Sequence, residues 1–147
     1  MAFFAAIPIP EEQIIVKTRL SFAFVNLKPV TPGHMLVSPL RVVHRFADLT
    51  CEETADLMNL ARQLGPILQT VFQATSLTFS IQDGVEAGQT VPHCHVHVIP
   101  RKKGDFGGDQ IYQAIEAERK PRSRQEMTLE AAMLRPLCSQ IASHPLS

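Results

Sequence analysis

Three of the six histidines in the chain stand at alternate positions within residues 88–101. His93, His95 and His97 are separated by Cys94 and Val96. Side chains at i, i+2 and i+4 of an extended strand point to the same face. The spacing therefore predicts a strand with three imidazoles on one face and an apolar face behind them, as expected of an active-site strand in a sheet. Residues 88–90, Gly-Gln-Thr, precede this run and could supply hydrogen-bond donors beside the imidazoles.

Length and charge limit the class of protein. A chain of 147 residues is most simply one domain, here residues 1–147, and it can fold without a disulfide or a metal. Lys plus Arg and Asp plus Glu both number 14, so the net charge is zero, which argues against nucleic acid or an anionic membrane as the main partner. No apolar run reaches the ~20 residues that span a bilayer. Three widely spaced cysteines predict a reducing compartment, the cytoplasm, with the nucleus as a further location.

The apolar pattern predicts five strands and a long helix. The strands are expected at residues 14–17, 21–25, 35–39, 77–82 and 91–99. Thr50 and Glu53 have the spacing of a capping box at a helix N-terminus, and apolar residues at helical spacing follow to residue 72. Gly65 and Pro66 interrupt this stripe, which predicts either one bent helix or two stacked pieces.

The sequence from residue 102 onwards is charged and contains glycines. We expect a mobile loop at about residues 103–125, with a short helix near residues 111–117. Its basic cluster is interpreted as a solvated surface. A shorter C-terminal helix is expected from Ser123 or Gln125, disturbed at Pro136.

Two chemistries fit three imidazoles on one strand. Alternate histidines can ligate zinc, with His34 or His44 as a further ligand, although three side chains in line converge poorly on one ion. Alternatively, a neutral imidazole can attack phosphorus if its other nitrogen holds a proton on a fixed acceptor such as a backbone carbonyl. The central histidine, His95, is then the natural nucleophile. A third interpretation gives the histidines no role, and Cys94 is expected to be a packing residue.

Two blocks of the sequence resemble the histidine-triad family. Residues 93–99 match its pattern of alternate histidines, with Cys94 in an apolar position, and residues 32–39, Pro-Gly-His-Met-Leu-Val-Ser-Pro, look like an upstream segment of the family. Asp48 and Leu49, at the expected start of the long helix, also fit. Residues 77–91 are similar to the Fhit branch, the dinucleoside triphosphate hydrolases, because the Hint branch usually has serine where this chain has Thr90.

The resemblance implies a two-step hydrolysis of a dinucleoside polyphosphate such as diadenosine triphosphate. His95 would attack the α-phosphorus and release ADP, and water would then release AMP from a nucleotidyl-histidine. His97 would contact the phosphate and help the leaving group, His93 would orient the nucleophile through its backbone carbonyl, and His34 would support the nucleophile from the second shell of residues. The implied substrate-binding positions are Asn26, Gln82, Gly88, Gln89, Thr90, Val91 and His97. No metal is implied for the nucleophile, although Mg²⁺ or Mn²⁺ could accompany the substrate.

The resemblance also implies an α+β, HIT-like fold. This fold has a five-stranded antiparallel sheet, one long helix and a shorter C-terminal helix, and it forms a two-fold homodimer. Tyr112 matches a stretch of the family that carries a modifiable tyrosine. Two alternatives stay open, namely a Hint-like nucleoside phosphoramidase and a nucleotide-sensing protein in which turnover is slow and the substrate complex is the signal.

Overall fold

The computed structural model describes residues 2–107 and 110–142 and has an α+β architecture. The strands are β1 (Ala2–Phe4), β2 (Ile7–Ile9), β3 (Ile14–Lys17), β4 (Ser21–Val25), β5 (Met35–Pro39), β6 (Ser76–Ser80) and β7 (Val96–Arg101). The helices are α1 (Cys51–Val71), α2 (Gln110–Glu116) and α3 (Arg124–Leu134). Short 3-10 turns lie at Glu11–Gln13, Phe46–Asp48, Val85–Ala87 and Arg135–Cys138.

Five strands form one antiparallel sheet in the order β3-β4-β5-β7-β6. The predicted strands at residues 14–17, 21–25 and 35–39 are confirmed, and the fourth is shorter than expected, since β6 ends at Ser80. β7 lies between β5 and β6, and it brings His97 opposite Leu36. His97 therefore lies on an inner strand of the sheet rather than at its edge.

The prediction of a strand over residues 91–99 is wrong at its beginning. β7 starts only at Val96, because earlier backbone donors are committed elsewhere. The His93 N–H donates to the Val91 carbonyl at 2.8 Å, and the Cys94 N–H donates to the Val43 carbonyl at 2.6 Å. Only His97 of the three histidines lies on a strand, so the predicted row of three imidazoles on one strand face is also wrong.

Helix α1 covers one face of the sheet. The predicted capping box is confirmed, since Thr50 accepts from the Glu53 N–H at 3.0 Å and the Glu53 carboxylate accepts from the Thr50 N–H at 2.9 Å. Pro66 lies inside one continuous helix, where it is exposed on the side away from the core. The predicted apolar stripe is confirmed as core, and its fully buried members are Leu57, Leu60, Ala61, Leu64 and Leu68. Each fully buried leucine contributes roughly 1.5–3 kcal/mol. Asp48 and Leu49 lie ahead of α1, in and after a 3-10 turn, rather than opening it.

The opposite face of the sheet is covered by a hairpin that the sequence did not predict. β1 and β2 pair antiparallel and form a two-stranded sheet of their own. Their buried residues pack with Phe22, Phe24 and Leu36, which alternate with the residues that face α1. Since Leu36 is paired with His97, the hairpin and His97 share one side of the sheet.

The C-terminal part agrees with the helices predicted there. α2 lies where a short helix was expected, and α3 begins after Ser123, whose side chain accepts from the Glu126 N–H at 3.1 Å. The helix ends at Leu134, and a 3-10 turn that contains Pro136 follows it, which confirms the predicted disturbance at this residue. Residues 108 and 109 of the predicted mobile loop lie outside the described residues. Within residues 2–107 and 110–142, no helix is long and apolar enough to cross a membrane.

Candidate active site

Three histidine rings stand in a row on the side of the sheet away from α1. The centroids of the His95 and His97 rings are 5.0 Å apart, and those of His34 and His97 are 5.1 Å apart. His34 directly precedes β5, and its own N–H donates to the Thr31 carbonyl at 3.1 Å, which closes the turn that carries it. The sheet therefore brings together two sequence blocks that are 63 residues apart.

The hydrogen bond of His95 fixes its tautomer. Its Nδ1 lies 2.8 Å from the His93 carbonyl oxygen, which can only accept, so Nδ1 carries the proton. Nε2 is then left with a free lone pair. Burial lowers the pKa of His95, whose side chain is 7% exposed, and keeps the ring neutral. A neutral imidazole with its proton held at Nδ1 is the form that can attack an electrophile through Nε2.

His34 fixes the tautomer of His97 in the same way. The Val30 N–H donates to Nδ1 of His34 at 3.0 Å, so the proton of the neutral His34 ring lies on Nε2. That Nε2–H donates to Nδ1 of His97 at 2.9 Å, and the proton of His97 must therefore lie on its Nε2. His34 was predicted to support the nucleophile, whereas its hydrogen bond goes to His97.

Nε2 of His97 is a buried donor without a partner among the described residues. Leaving such a group unpaired costs ~1–3 kcal/mol, and buried polar groups without a partner are rare and often functional. Burial, aided by His95 and Arg119, lowers the pKa of His97 to about 3, so its ring is also neutral. The site thus presents a nitrogen lone pair on His95 beside an unpaired N–H on His97, an arrangement that can attack an electrophile and donate a hydrogen bond at a neighbouring atom.

His93 uses both ring nitrogens within the protein. Nδ1 accepts from the Ala5 N–H at 2.9 Å, and Nε2 donates to the Pro39 carbonyl at 2.9 Å. The residue is fully buried, and burial lowers the pKa of its ring. Its backbone carbonyl is the acceptor for His95, so the contact predicted between these two residues is present.

Gln89, predicted to contact substrate, holds its own loop together. Its side-chain oxygen accepts from the Gly84 N–H at 2.7 Å, and its amide nitrogen donates to the carbonyls of residues 44 and 91 at 3.0 Å each. Asp83 ties the same loop to Arg45 through an ion pair of 3.0 Å. The loop before the histidines is therefore rigidly shaped by side chain to backbone bonds.

Gly88 stands at a point of this loop that has no room for a side chain. Its φ of 93° is one that L residues rarely adopt, and a Cβ built there would lie 2.6 Å from Nε2 of Gln82 and 2.6 Å from a carboxylate oxygen of Glu116. Gln82 is buried, whereas Thr90 is exposed. A side chain at residue 88 would therefore overlap with Gln82 and with Glu116 of α2.

Asn26 and Val91 also lie near the histidines. The Asn26 amide nitrogen is 3.3 Å from Nε2 of His34, and its oxygen accepts from the Lys28 N–H at 2.9 Å. Val91 is half-buried and packs on the apolar cluster under the hairpin. Tyr112, by contrast, is exposed on α2.

Arg119 and Arg122, two arginines of the basic cluster, donate to backbone carbonyls beside the site. The interpretation of this cluster as a solvated surface is therefore wrong for these two residues. Arg119 donates to the Lys28 carbonyl at 3.1 and 2.8 Å and also to carbonyls of α2, including that of Ile115 at 3.1 Å. Arg122 donates to the Asn26 carbonyl at 3.1 Å and pairs with Glu130. The charge on Arg119 helps lower the pKa of His34 and His97. The sequence showed the arginines, but only the folded chain shows the carbonyls that face them.

Cys94, which stands between His93 and His95 in the sequence, is buried, as expected for a packing residue. Burial raises the pKa of its thiol to about 11, so it is protonated near neutral pH and cannot compete with His95 as a nucleophile. Within residues 2–107 and 110–142, no group of three or more His, Cys, Asp or Glu side chains is arranged to hold a metal ion.

Known proteins are similar to this chain in both sequence and fold. A HIT domain is matched over residues 9–104. Bis(5'-adenosyl)-triphosphatase of Dictyostelium discoideum is 54% identical over 130 residues, which cover 88% of this chain and 87% of that protein. Bis(5'-nucleosyl)-tetraphosphatase [asymmetrical] of Schizosaccharomyces pombe is 50% identical over 115 residues, which cover 78% of this chain and 63% of that protein.

A third relative is a larger protein. The nitrilase and fragile histidine triad fusion protein NitFhit of Caenorhabditis elegans is 52% identical over 139 residues, which cover 91% of this chain but only 32% of that protein. Its crystal structure superposes with a TM-score of 0.81 over 92% of this chain and 30% of that chain, at 47% identity. The chain thus spans about a third of this relative.

Proposed function

The chain belongs to the HIT domain family, and we propose that it is a hydrolase that cleaves diadenosine triphosphate to AMP and ADP. The observation that carries this proposal is the pairing of tautomers in the site. His95 offers a free Nε2 lone pair, and His97 offers an Nε2–H that has no partner among the described residues. Cleavage of a phosphoanhydride uses both, because the lone pair attacks phosphorus while the N–H stabilises the negative charge that develops on the displaced oxygen.

The first step transfers AMP to the enzyme. Nε2 of His95 attacks the α-phosphorus, a nitrogen–phosphorus bond forms, and the bond from this phosphorus to the bridging oxygen breaks. The Nε2–H of His97 donates to the oxygen that leaves with ADP. The positive charge that develops on the His95 ring is stabilised by the bond from its Nδ1–H to the His93 carbonyl.

The second step releases AMP. Water attacks the same phosphorus, the nitrogen–phosphorus bond breaks, and His95 regains its neutral form. The proton that the attacking water gives up passes to solvent, and the Nε2–H of His97 again donates a hydrogen bond to the phosphate oxygens. Because His34 holds Nδ1 of His97 throughout, the ring presents the same N–H in both steps without turning.

The decisive variant is His95→Asn. We expect it to abolish formation of AMP and ADP from diadenosine triphosphate and to remove any acid-labile AMP adduct on the protein. The matched control is His44→Asn, since the His44 side chain is exposed, and we expect wild-type turnover from it. Full turnover by His95→Asn would contradict the mechanism.

The choice among substrates is settled by comparing products. We expect diadenosine triphosphate to be hydrolysed faster than diadenosine tetraphosphate and an AMP amide. The Schizosaccharomyces pombe relative makes the tetraphosphate a necessary arm of the assay. A higher kcat/KM on the AMP amide would replace this proposal with nucleoside phosphoramidase activity. Correct products with very slow turnover would favour a nucleotide sensor.

Divalent metal ions belong to the substrate in this proposal. Mg²⁺ or Mn²⁺ would neutralise the polyphosphate, while the protein supplies nitrogen donors. We expect turnover with EDTA to be reduced by weaker substrate binding, with KM affected more than kcat. A metal that co-purifies in stoichiometric amount and is required for adduct formation would contradict this.

We further propose a two-fold homodimer located in the cytoplasm. The exposed Phe79 on edge strand β6 and the exposed Met58 on α1 are apolar side chains that a second copy would cover. Light scattering after gel filtration, and cell fractionation, are the measurements that check these two statements.

A further inference from the structure

The N-terminal hairpin reaches the proposed nucleophile although it lies almost wholly outside the matched domain. The HIT match begins at residue 9, whereas β1 and the turn after it comprise residues 2–6. Phe4 is 6% exposed, and its ring lies edge-on to the His95 ring, with centroids 5.0 Å apart. The same ring lies 5.6 Å from that of His93 and 5.2 Å from that of Phe24. Phe4 therefore fills the space between the apolar cluster and the site.

The turn of the hairpin supplies a hydrogen bond to the same region. Ala5 has a φ of 54°, which is uncommon for a residue with a Cβ, and its N–H donates to Nδ1 of His93 at 2.9 Å. Because that nitrogen accepts, the ring proton lies on Nε2 and is donated to Pro39. His93 is thus clamped between β5 and the hairpin turn.

His93 connects the hairpin turn to His95. The carbonyl of His93 accepts the Nδ1–H of His95 at 2.8 Å, so the position of His93 sets the direction and tautomer of the His95 ring. Phe4 packs edge-on against that ring, which is 7% exposed. The hairpin therefore contacts His95 directly through Phe4 and indirectly, through His93, by the backbone of Ala5.

We propose that Phe4 and Ala5 are positioning residues for the nucleophile, holding His95 with its proton on Nδ1 and its Nε2 lone pair towards the phosphorus. The proposal rests on the hydrolase function above, because it assigns these residues to that reaction. It predicts that damage to the hairpin turn lowers kcat more than it raises KM, since the misplaced group is the nucleophile and not a substrate contact.

The first test compares Phe4→Leu with Phe3→Leu. Leucine keeps most of the apolar contact but removes the flat ring, and Phe3 is a matched control because it lies on the same strand and is 46% exposed. We expect kcat on diadenosine triphosphate to fall about tenfold for Phe4→Leu with KM within about twofold, because small displacements of a reacting group are costly. Phe3→Leu should match the wild type. An unchanged kcat, or a raised KM with unchanged kcat, would overturn the proposal.

The second test reads the His95 ring without substrate. In ¹⁵N-labelled protein, we expect Nδ1 of His95 to be protonated in the wild type and in Phe3→Leu. In Phe4→Leu, a mixture of tautomers and a pKa nearer the ordinary histidine value are expected, because burial lowers that pKa. Wild-type shifts and titration in Phe4→Leu would overturn the positioning role. If wild-type protein fails to hydrolyse diadenosine triphosphate but shows these shifts, the hydrolase proposal fails and the clamp stands.

Two substitutions of His93 test its bond to Ala5 and its bond to Pro39 separately. His93→Asn keeps an acceptor near the position of Nδ1, which the Ala5 N–H can use, whereas His93→Gln keeps a donor near Nε2 for the Pro39 carbonyl. We expect the Asn variant to retain the higher kcat, because it keeps the hairpin contact. Equal values or the reverse order would assign the anchoring to Pro39 and overturn the role of Ala5.

Discussion

Replacing His34 with phenylalanine tests whether the proton of His97 is placed by its neighbour. Phenylalanine fills the same buried space but has no ring nitrogen, so Nδ1 of His97 loses the donor that lies 2.9 Å away. Nothing then favours the tautomer with the proton on Nε2. A His97 ring with its proton on Nδ1 has no hydrogen to give to the leaving oxygen.

The magnitude follows from the hydrogen bonds that are lost. An unsatisfied buried partner costs ~1–3 kcal/mol, and this is the energy by which His34 favours one tautomer of His97. Removing one hydrogen-bond donor from the negative charge of a transition state lowers kcat about 10²–10³-fold. Losing the fixed tautomer but not the ring should remove part of that contribution, so we expect kcat to fall about 10–100-fold while KM changes little. The Val30 N–H also loses its acceptor, which should lower the free energy of unfolding by ~1–3 kcal/mol.

The assay measures steady-state formation of AMP and ADP, with urea unfolding of each variant alongside. His34→Gln is the conservative variant, because its amide can donate towards Nδ1 of His97, and its kcat should exceed that of His34→Phe. His44→Phe is the matched control on an exposed histidine and should keep wild-type kcat. Wild-type kcat in folded His34→Phe would refute the reasoning, as would a Gln variant no better than the Phe variant.

Three further outcomes follow from particular residues. Ala5→Gly should raise the free energy of unfolding by about 1 kcal/mol in urea titrations, because glycine adopts the φ of 54° without penalty and keeps the N–H; a loss of stability would argue against strain there. Gly33→Ala should cost ~1–3 kcal/mol more than Gly104→Ala by the same measurement, since both have positive φ but only at residue 33 would a Cβ lie 2.4 Å from the Phe72 ring. Lowering the pH from 7 to 5 should lower the free energy of unfolding, because His97 in the unfolded chain takes up a proton near pH 6.5 while the folded ring, with a pKa of about 3, does not. This residue alone contributes about 2 kcal/mol to that decrease. The free energy of unfolding of His97→Gln should therefore depend less steeply on pH.

Local patterns predicted the fold well where the chain uses ordinary rules. The capping box at Thr50 and the leucine stripe after it are both local, so α1 could be placed from the sequence. Pro66 did not split the helix, because it lies on the exposed side. The hairpin was missed because each of its strands has only three residues and its stability comes from packing on Phe22 and Phe24, which no local window contains.

The site was predictable in its residues and only partly in its geometry. The alternating pattern predicted a strand at His93 and His95. In the structure, the N–H of His93 bonds to the Val91 carbonyl and the carbonyl of His93 bonds to the His95 ring, so neither group pairs with another strand. The pairing of His34 with His97 depends on the register of β5 and β7, which a single sequence does not reveal. The part played by Arg119 was missed because its partners are backbone carbonyls, which leave no mark in the sequence.

The contact between Ala5 and His93 joins positions 88 residues apart, and this distance has a consequence for how the protein acquires activity as it folds. Residue 5 leaves the ribosome long before residue 93, and closing so long a loop is entropically slow compared with forming α1. The contact between Ala5 and His93 must therefore wait until the segment before β7 is in place. Upon dilution from denaturant, helical circular dichroism should return first, and turnover should return only when the two ends of this loop have met.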